Sequence, residues 1–547
     1  MSSPATPSLL GARTLTQQEG GASASTGGRK PTDDQISMDV APQAEWRAYY
    51  EHLCSLHVAG QPLCGLLGPL LQWNYSLTPT QLRRAAAHVG PNQRLRRVVR
   101  DLITGHAPVN VGVIGTSVSY GTGASERGST DWFSVLGSAL RTAFPKANVT
   151  MHNGCFPGTP SAFANMCSSK MVKPDVDLLL IEYVTNDFAI DSMFANVRMM
   201  AYERLLRKVM QKQRYPAVLL VQHLTWGQGF PEGHKLQGQP VVQKMYHESA
   251  EDQYGSMAQY YSLPWLSYRN AVWIDAAYRR PWFPTGWSTL SADYVHPNDV
   301  GHRMLADIIM WLIHSTAVDL LWQPFSKTDA WYIHMPLPPP MHRGNWEETT
   351  ETCMMDDELR QIVDEGQSAG WAFVNEGTAE KPKTGYVTMT PDTRLVLVLN
   401  TRKVLGDDVV FAGADASPEH DRAVSLMLSY LKSYSGHGIA LVTCGPGCAC
   451  TPSSIDGHNA QRTSTTFMKL VHVVAHDEAC TVTLAVGQTT NSKGHKFKLT
   501  AVMTHRAKEL SFAWPDEPAM FVAADVFSGA FGNPEYYTDS NKESPVR

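Results

Sequence analysis

Between residues 109 and 313 the chain alternates short apolar runs with longer segments of helical period, and this alternation limits the possible folds more than any other property of the sequence. Residues 109–114, 149–152, 176–183 and 218–223 are short and apolar, and they read as strands. Residues 132–144, 194–212 and 300–313 carry apolar positions at helical spacing. Strands joined by helical crossovers pair in parallel, and helices cover both faces of such a sheet. The loops that follow the strands then share one rim, where open α/β sheets hold their ligands.

The flanking segments obey other rules. In residues 41–104 the signals are helical: Trp46, Tyr49, Tyr50 and Leu53 recur at helical spacing, Thr78-Pro79-Thr80 caps a helix over 81–89, and 94–103 leads as a helix into the first strand. Residues 1–40 read as a disordered leader rich in Ser, Gly, Thr and Ala, and Ser8-Leu9-Leu10-Gly11 is too short for the apolar part of a signal peptide. After the α/β unit comes a Pro-, Trp- and Met-rich stretch in which Pro336-Leu337-Pro338-Pro339-Pro340 reads as a stiff spacer. Beyond it, seven runs (386–389, 394–399, 424–431, 439–442, 467–473, 481–486 and 496–503) read as strands of a β-sandwich. The expected organisation is a leader to residue 40, a helical region 41–105, an α/β domain 106–320, a linker 321–352, a β-rich domain 353–510 and a tail 511–547. A chain of 547 residues has room for that many cores.

Charge and cysteine usage narrow the function classes. A net charge of -5 and a pI near 6.5 give no clustered basic surface, which argues against a nucleic-acid binder. Arg83, Arg84, Arg94, Arg96, Arg97 and Arg100 read as a solvated helix face. No window approaches the roughly 20 consecutive apolar residues of a membrane span, so the expectation is a soluble or peripheral protein without a transmembrane segment. Of the nine cysteines, Cys155 and Cys167 bracket a loop and are read as a disulfide, in preference to Cys155 acting as a nucleophile. Cys444, Cys448, Cys450 and Cys480 lack two clean Cys-x-x-Cys pairs, so disulfides are favoured over zinc, with Cys353 as a further partner. Together with the acceptor patterns at Asn74 and Asn148, these lean towards a secreted or endomembrane glycoprotein.

The residues after the strands are of the types that acyl transfer needs. Ser117 follows the first strand, Gly158 lies in the loop after the second, Asn186 follows the third, and Asp293 and His296 precede the last helix. A serine hydroxyl becomes a nucleophile when a histidine takes its proton, and a carboxylate three residues before that histidine can fix its tautomer. The Ser117 and Gly158 N–H groups and the Asn186 amide are candidate donors to an oxyanion. Gly115 reads as the bend that exposes Ser117, and Tyr120-Gly121-Thr122-Gly123 as the entry to the next segment. His152 and His223 read as structural. Trp226, Trp273, Trp282 and Trp287 read equally as core and as an acyl or sugar pocket.

These blocks resemble the SGNH/GDSL hydrolases: Ser117 in GTSV, Gly158 in PGTPS, Asn186 in VTND and Asp293/His296 in DYVHP, in the family's order. Glu182, before the third block, makes the chain most similar to the plant and algal subset, some of whose members carry a similar β-rich C-terminal partner. The resemblance covers about residues 109–313 and implies a flavodoxin-like three-layer α/β/α fold and ester hydrolysis through an acyl-serine, with no metal or organic cofactor. It implies a small-molecule or glycan ester as substrate, acetate on a glycan first. Acyl transfer to a sugar hydroxyl and a non-enzymatic glycan-binding or scaffold role are the alternatives. Two positions depart from the pattern: Thr116 replaces an Asp with no direct chemical role, and Val184 replaces a Gly, so the backbone carrying Asn186 is open to change.

Overall fold

A computed structural model of the chain describes residues 41–58, 60–66, 68–71, 73–187, 197–228, 242–243, 245–278, 280, 283, 289–347, 351–378, 382–405, 423–459, 464–474 and 477–506. The expected leader and tail, residues 194–196 of an expected helix, and Trp282 and Trp287 lie outside the described residues. The first sheet contains β1 (Ala86–His88), β2 (Val109–Gly115), β3 (Val149–Asn153), β4 (Leu178–Glu182), β5 (Ala217–Gln222) and β6 (Trp265–Ser267). Across the sheet they run β1-β6-β5-β4-β2-β3, with β2 to β6 parallel. Counted from β2, the parallel five follow the order 2-1-3-4-5, the flavodoxin-like arrangement expected above.

The sheet departs from expectation at its edge. Helix α1 (Ala41–Ser55) and the capped helix α2 (Pro79–Ala85) form in the N-terminal region, but α2 stops before Ala86 and residues 86–88 extend as β1, antiparallel to β6. The sheet is therefore mixed. The unpaired N–H and C=O groups along β6 offer this segment partners that outweigh its helical periodicity. β6 itself is only three residues long, which is why it was not legible as a strand.

Period-two alternation sorts the strand side chains into two cores. Val109, Val111, Val113, Leu178, Leu180, Ala217, Leu219 and Val221 face one side, against α3 (Gln93–Thr104), α4 (Trp132–Ala143), α8 (Tyr268–Ala277) and α9 (Asp299–Trp322). Ile114, Leu179, Ile181, Val218 and Leu220 face the other, against α5 (Ser161–Met171), α6 (Val197–Met210) and α7 (Glu251–Tyr260). Helix α9 runs nine residues beyond its expected end at 313 and is long and apolar enough to cross a membrane, yet 78% of its most apolar window is buried in this core. It is the central helix of the first layer.

In the C-terminal domain every described strand pair is antiparallel. Its larger sheet holds β7 (Glu351–Met355), β8 (Ala372–Asn375), β9 (Thr384–Thr388), β11 (Val424–Lys432), β13 (Ala449–Cys450), β15 (Thr465–Val474) and β17 (Phe497–Arg506). The smaller holds β10 (Thr393–Leu399), β12 (Ile439–Cys444), β14 (Ser453–Asp456) and β16 (Cys480–Val486). Leu426, Leu428, Leu499 and Val502 meet Leu397, Val482 and Leu484 between the sheets. On the opposite face of the larger sheet Met427, Met468, Ala501 and Met503 join the second core, where β17 and β7 lie against α5. Along β17 the odd-numbered residues change from the inter-sheet core (Phe497, Leu499) to the opposite face (Ala501, Met503), because a bulge opposes Ser429 to Ala501 and Tyr430 to Leu499, leaving Thr500 over and inverting the alternation.

The cysteine pairing corrects the expectation. Cys155 is a free, buried thiol whose Sγ lies 3.7 Å from the Val113 carbonyl, on the first face of the sheet, whereas Cys167 is on α5 behind the second. Cys167 pairs instead with Cys353 of β7, and Cys444–Cys450 and Cys448–Cys480 close within the β domain. The proline run is also no free spacer. The Pro338 carbonyl accepts from Arg207 Nη1 at 2.7 Å, the Pro339 carbonyl accepts from Tyr260 OH at 2.8 Å, and His342 Nδ1 meets Glu203 Oε2 at 2.7 Å.

Candidate active site

Strand β2 ends at Gly115, where a Cβ would stand 2.6 Å from the Glu182 carbonyl and 2.9 Å from Ser119 Oγ. The glycine is needed for close approach of β4 rather than for a bend, which corrects the first reading. A single helical turn, Ser117–Tyr120, follows, capped by Thr116, whose Oγ1 accepts the Val118 N–H at 3.2 Å. Ser117 occupies the first helical position, so its N–H has no carbonyl to meet within the turn.

The loop after β3 is laid along the end of β2. Gly154 N–H donates to the Val113 carbonyl at 2.9 Å, Phe156 N–H to the Gly115 carbonyl at 3.3 Å, and Asn153 Nδ2 to the Ser119 carbonyl at 2.9 Å. Gly158 adopts φ +78°, the left-handed region that a side chain would strain. After β4, Asn186 and Asp187 N–H both donate to the Tyr183 carbonyl, at 3.0 and 2.9 Å, so a tight turn forms with Val184 in place of glycine. Asn186 Nδ2 donates to the Thr159 carbonyl at 2.9 Å, which ties this turn to the Gly158 loop. The following carboxylate, Asp187, is buried and accepts from Ser161 N–H and Tyr254 OH, an anchoring role.

Asp293 and His296 stand on the loop before α9. Asp293 Oδ1 accepts the N–H groups of Val295 and His296 at 3.1 and 2.7 Å, and its Oδ2 lies 2.7 Å from His296 Nδ1. His296 Nε2 lies 2.8 Å from Ser117 Oγ. Desolvation raises the Asp293 pKa, but the hydrogen bond and charge of His296 and the two N–H donors outweigh it and hold the carboxyl below its ordinary value. The loop is shaped by Tyr294 at φ +68° and by Trp226, whose backbone N–H donates to the Tyr294 carbonyl at 3.0 Å.

Residues 120–123 are more than an entry to the next segment. A Cβ on Gly123, at φ +95°, would meet the Pro297 carbonyl at 2.2 Å and His296 Cβ at 3.0 Å, so this turn is the wall behind His296. His302 holds the wall: its Nδ1 accepts the Trp132 N–H at 3.3 Å and its Nε2 donates to the Thr122 carbonyl at 3.2 Å. Those partners require the neutral ring, and burial lowers its pKa to about 4.

The structure thus brings Ser117, His296 and Asp293 into one hydrogen-bonded line and sets the Gly158 and Asn186 loops side by side. His152 is at the end of edge strand β3, and His223 is buried, stacked on Tyr268. Trp226 is fully buried and Trp273 packs on Tyr246, so both serve as packing. Sequence reasoning missed Thr116, Ser119, Thr185 and His302. Their only signal was position in or near a block, because the partners of Thr116, Ser119 and His302 are distant in sequence and that of Thr185, Glu182, is part of the same network.

No family model and no curated protein matches the sequence. Solved structures do match. A two-domain esterase (CEX) described as active on acetylated mannans is 19% identical, with a TM-score of 0.54 over 77% of this chain and 97% of that one. The same esterase co-crystallised with mannopentaose gives 19% identity and 0.53 over 77% and 98%. An acetyl xylan esterase, AlAXEase, is 17% identical over 37% of this chain and 98% of its own, with a TM-score of 0.28. At these identities the likeness to the two-domain protein is one of fold, and it spans the α/β and β domains together.

Proposed function

We propose that the chain is a serine ester hydrolase of the SGNH type. The observation that carries this reading is the unbroken line from Ser117 Oγ through His296 Nε2 and Nδ1 to Asp293 Oδ2, at 2.8 and 2.7 Å. His296 takes the Ser117 proton as Oγ attacks the ester carbonyl, and Asp293 keeps Nδ1 protonated and stabilises the imidazolium. The tetrahedral oxyanion forms towards the Ser117 and Gly158 N–H groups and the second N–H of the Asn186 amide. Each such donor contributes on the order of 3 kcal/mol to the transition state. His296 then protonates the departing alcohol, and a water activated by the same ring releases the acid from the acyl-serine.

For the substrate we propose a small acyl ester, acetate first, on a glycan. The fold shared with an esterase described as active on acetylated mannans supports this choice, as does the β domain attached directly behind the α/β domain. The expected division into an α/β domain at 106–320, a linker at 321–352 and a β domain at 353–510 belongs to the same proposal with its edges moved, since β1 at 86–88 and α9 to 322 join the α/β domain and β7 from 351 joins the β domain. So does an oxidising compartment, which the three disulfides and the exposed acceptor residues Asn74 and Asn148 favour.

Labelling with a fluorophosphonate tests the nucleophile: wild type is expected to label and Ser117→Ala not to. Equal labelling of the two folded proteins, or none of either, would overturn the assignment. Acetate released from acetylated mannan, measured with and without a competing alcohol, separates water from a sugar hydroxyl as acceptor.

A further inference from the structure

We infer that Glu182 is a positioning residue that joins the Ser117 turn and the Asn186 turn into one rigid unit, an inference resting on the reading of the site given above. Glu182 ends β4, the strand beside β2, and its side chain is 1% exposed. Its Oε2 accepts from Thr116 Oγ1 at 2.7 Å, Ser119 Oγ at 3.1 Å and Thr116 N–H at 3.3 Å. Its Oε1 accepts from Thr185 Oγ1 at 2.8 Å. Thr116 and Ser119 bracket Ser117 in its single turn, and Thr185 precedes Asn186. One carboxyl group therefore holds the segment that presents the nucleophile with one oxygen and the segment that presents the Asn186 amide with the other.

The chemistry of the donors explains why a carboxylate stands here. Four donors converge on two oxygens, and an ionised carboxylate is a pure acceptor with room for all of them. Among the described residues no Lys or Arg pairs with it, so these donors alone oppose its desolvation, and burial still pushes the carboxyl above its ordinary value. An uncompensated buried carboxyl used only to fill space is costly to keep, and an apolar side chain would fill the same volume more favourably. What the carboxylate supplies is geometry. A four-residue helical turn has little stability of its own, and Gly115 leaves the backbone ahead of it without a side chain. The position of Ser117 Oγ relative to Asn186 is then set through Glu182.

Glu182 touches no reacting atom, so its loss is expected to lower turnover rather than binding. In Glu182→Ala, kcat for an activated acetate ester and the fluorophosphonate labelling rate are both expected to fall about 100-fold at nearly unchanged KM, the scale of an ångström-sized misplacement. Glu182→Gln keeps an acceptor for Thr116 and Ser119, and the Thr185 hydroxyl can turn to accept from the new NH2. That variant is expected to recover most of the rate. A folded Glu182→Ala with kcat and labelling within about threefold of wild type, or with a change confined to KM, would overturn the inference. Should Glu182→Ala not fold, Thr185→Val carries the test: it empties Oε1 alone and is expected to lower kcat about tenfold without moving KM, and unchanged kcat would refute the bridge. Absence of labelling in wild type would instead remove the nucleophile assignment itself, so the two failures are distinguishable.

Discussion

Asp293 uses both of its oxygens, one on two backbone N–H groups and one on His296, and this division sets what a conservative change does. In Asp293→Asn the carbonyl oxygen keeps the backbone bonds and the amide nitrogen faces Nδ1. The ring then carries its proton on Nε2 and cannot take one from Ser117. Turnover is expected to fall by about 10²- to 10⁴-fold with the fold intact, measured as kcat at constant melting midpoint. The depressed carboxyl pKa adds a pH signature. Its contribution to stability is full above the ordinary value of 3.8 and lost as pH falls through the depressed one, so the stability gap between wild type and Asp293→Asn closes in acid. The gap is small because the side chain is half exposed. Residues of this kind were legible because Asp-x-x-His is local. Glu182 was visible only as a marker before the third block, since its partners come together only when β2 and β4 pair.

At the scale of elements, α7 shows how a buried charge tunes one helix. Glu251, in its first turn, is fully buried and receives the Trp265 indole N–H at 3.2 Å. Arg269 Nε lies 3.4 Å from its other oxygen, but neither atom makes a hydrogen bond there. Burial therefore prevails over the arginine and pushes the carboxyl up to about 7. A carboxyl raised in the folded state loses stability as pH rises from its ordinary value of 4.5, and the loss is complete above about 7. Wild type is expected to be less stable at pH 8 than at pH 5 by up to about 3 kcal/mol from this group, and Glu251→Gln to remove most of that slope. Urea midpoints of both proteins across that range measure it, and parallel slopes would refute it. Periodicity read β2 to β5, α4, α6 and seven strands of the β domain to within a few residues, but it stopped α9 nine residues short and passed over α5, α7, β7, β8, β13 and β14. It failed at β1 and β6, where strand or helix was decided by an available edge and not by the segment's own pattern.

The molecule as a whole is held together across its two domains by α5. This helix follows the Gly158 loop, carries Cys167 to Cys353, sets Lys170 against Glu358 at 2.5 Å, lies against β7 and β17, and shares a core with Met427, Met468 and Met503. The β domain is in this way the outer support of the helix behind a candidate oxyanion loop. Closing a loop of 186 residues restricts the unfolded chain strongly, and the double variant Cys167→Ala/Cys353→Ala is expected to lose on the order of 2–5 kcal/mol. Its kcat at 25 °C should stay within about twofold, because the packed methionines still hold the helix. Calorimetry beside turnover checks both, and an unmoved midpoint would mean that the bridge contributes nothing. By itself the sequence determined the two domain types and the four blocks on one rim, because alternation, helical period and short motifs act within a few residues. Only the tertiary structure decided that Cys155 and Cys167 lie on opposite faces of a sheet, that the proline run is strapped to α6 and α7, that Gly123 backs His296, and that one carboxyl group bridges two loops. Those outcomes depend on which strands and faces meet across the core, and no local pattern encodes that.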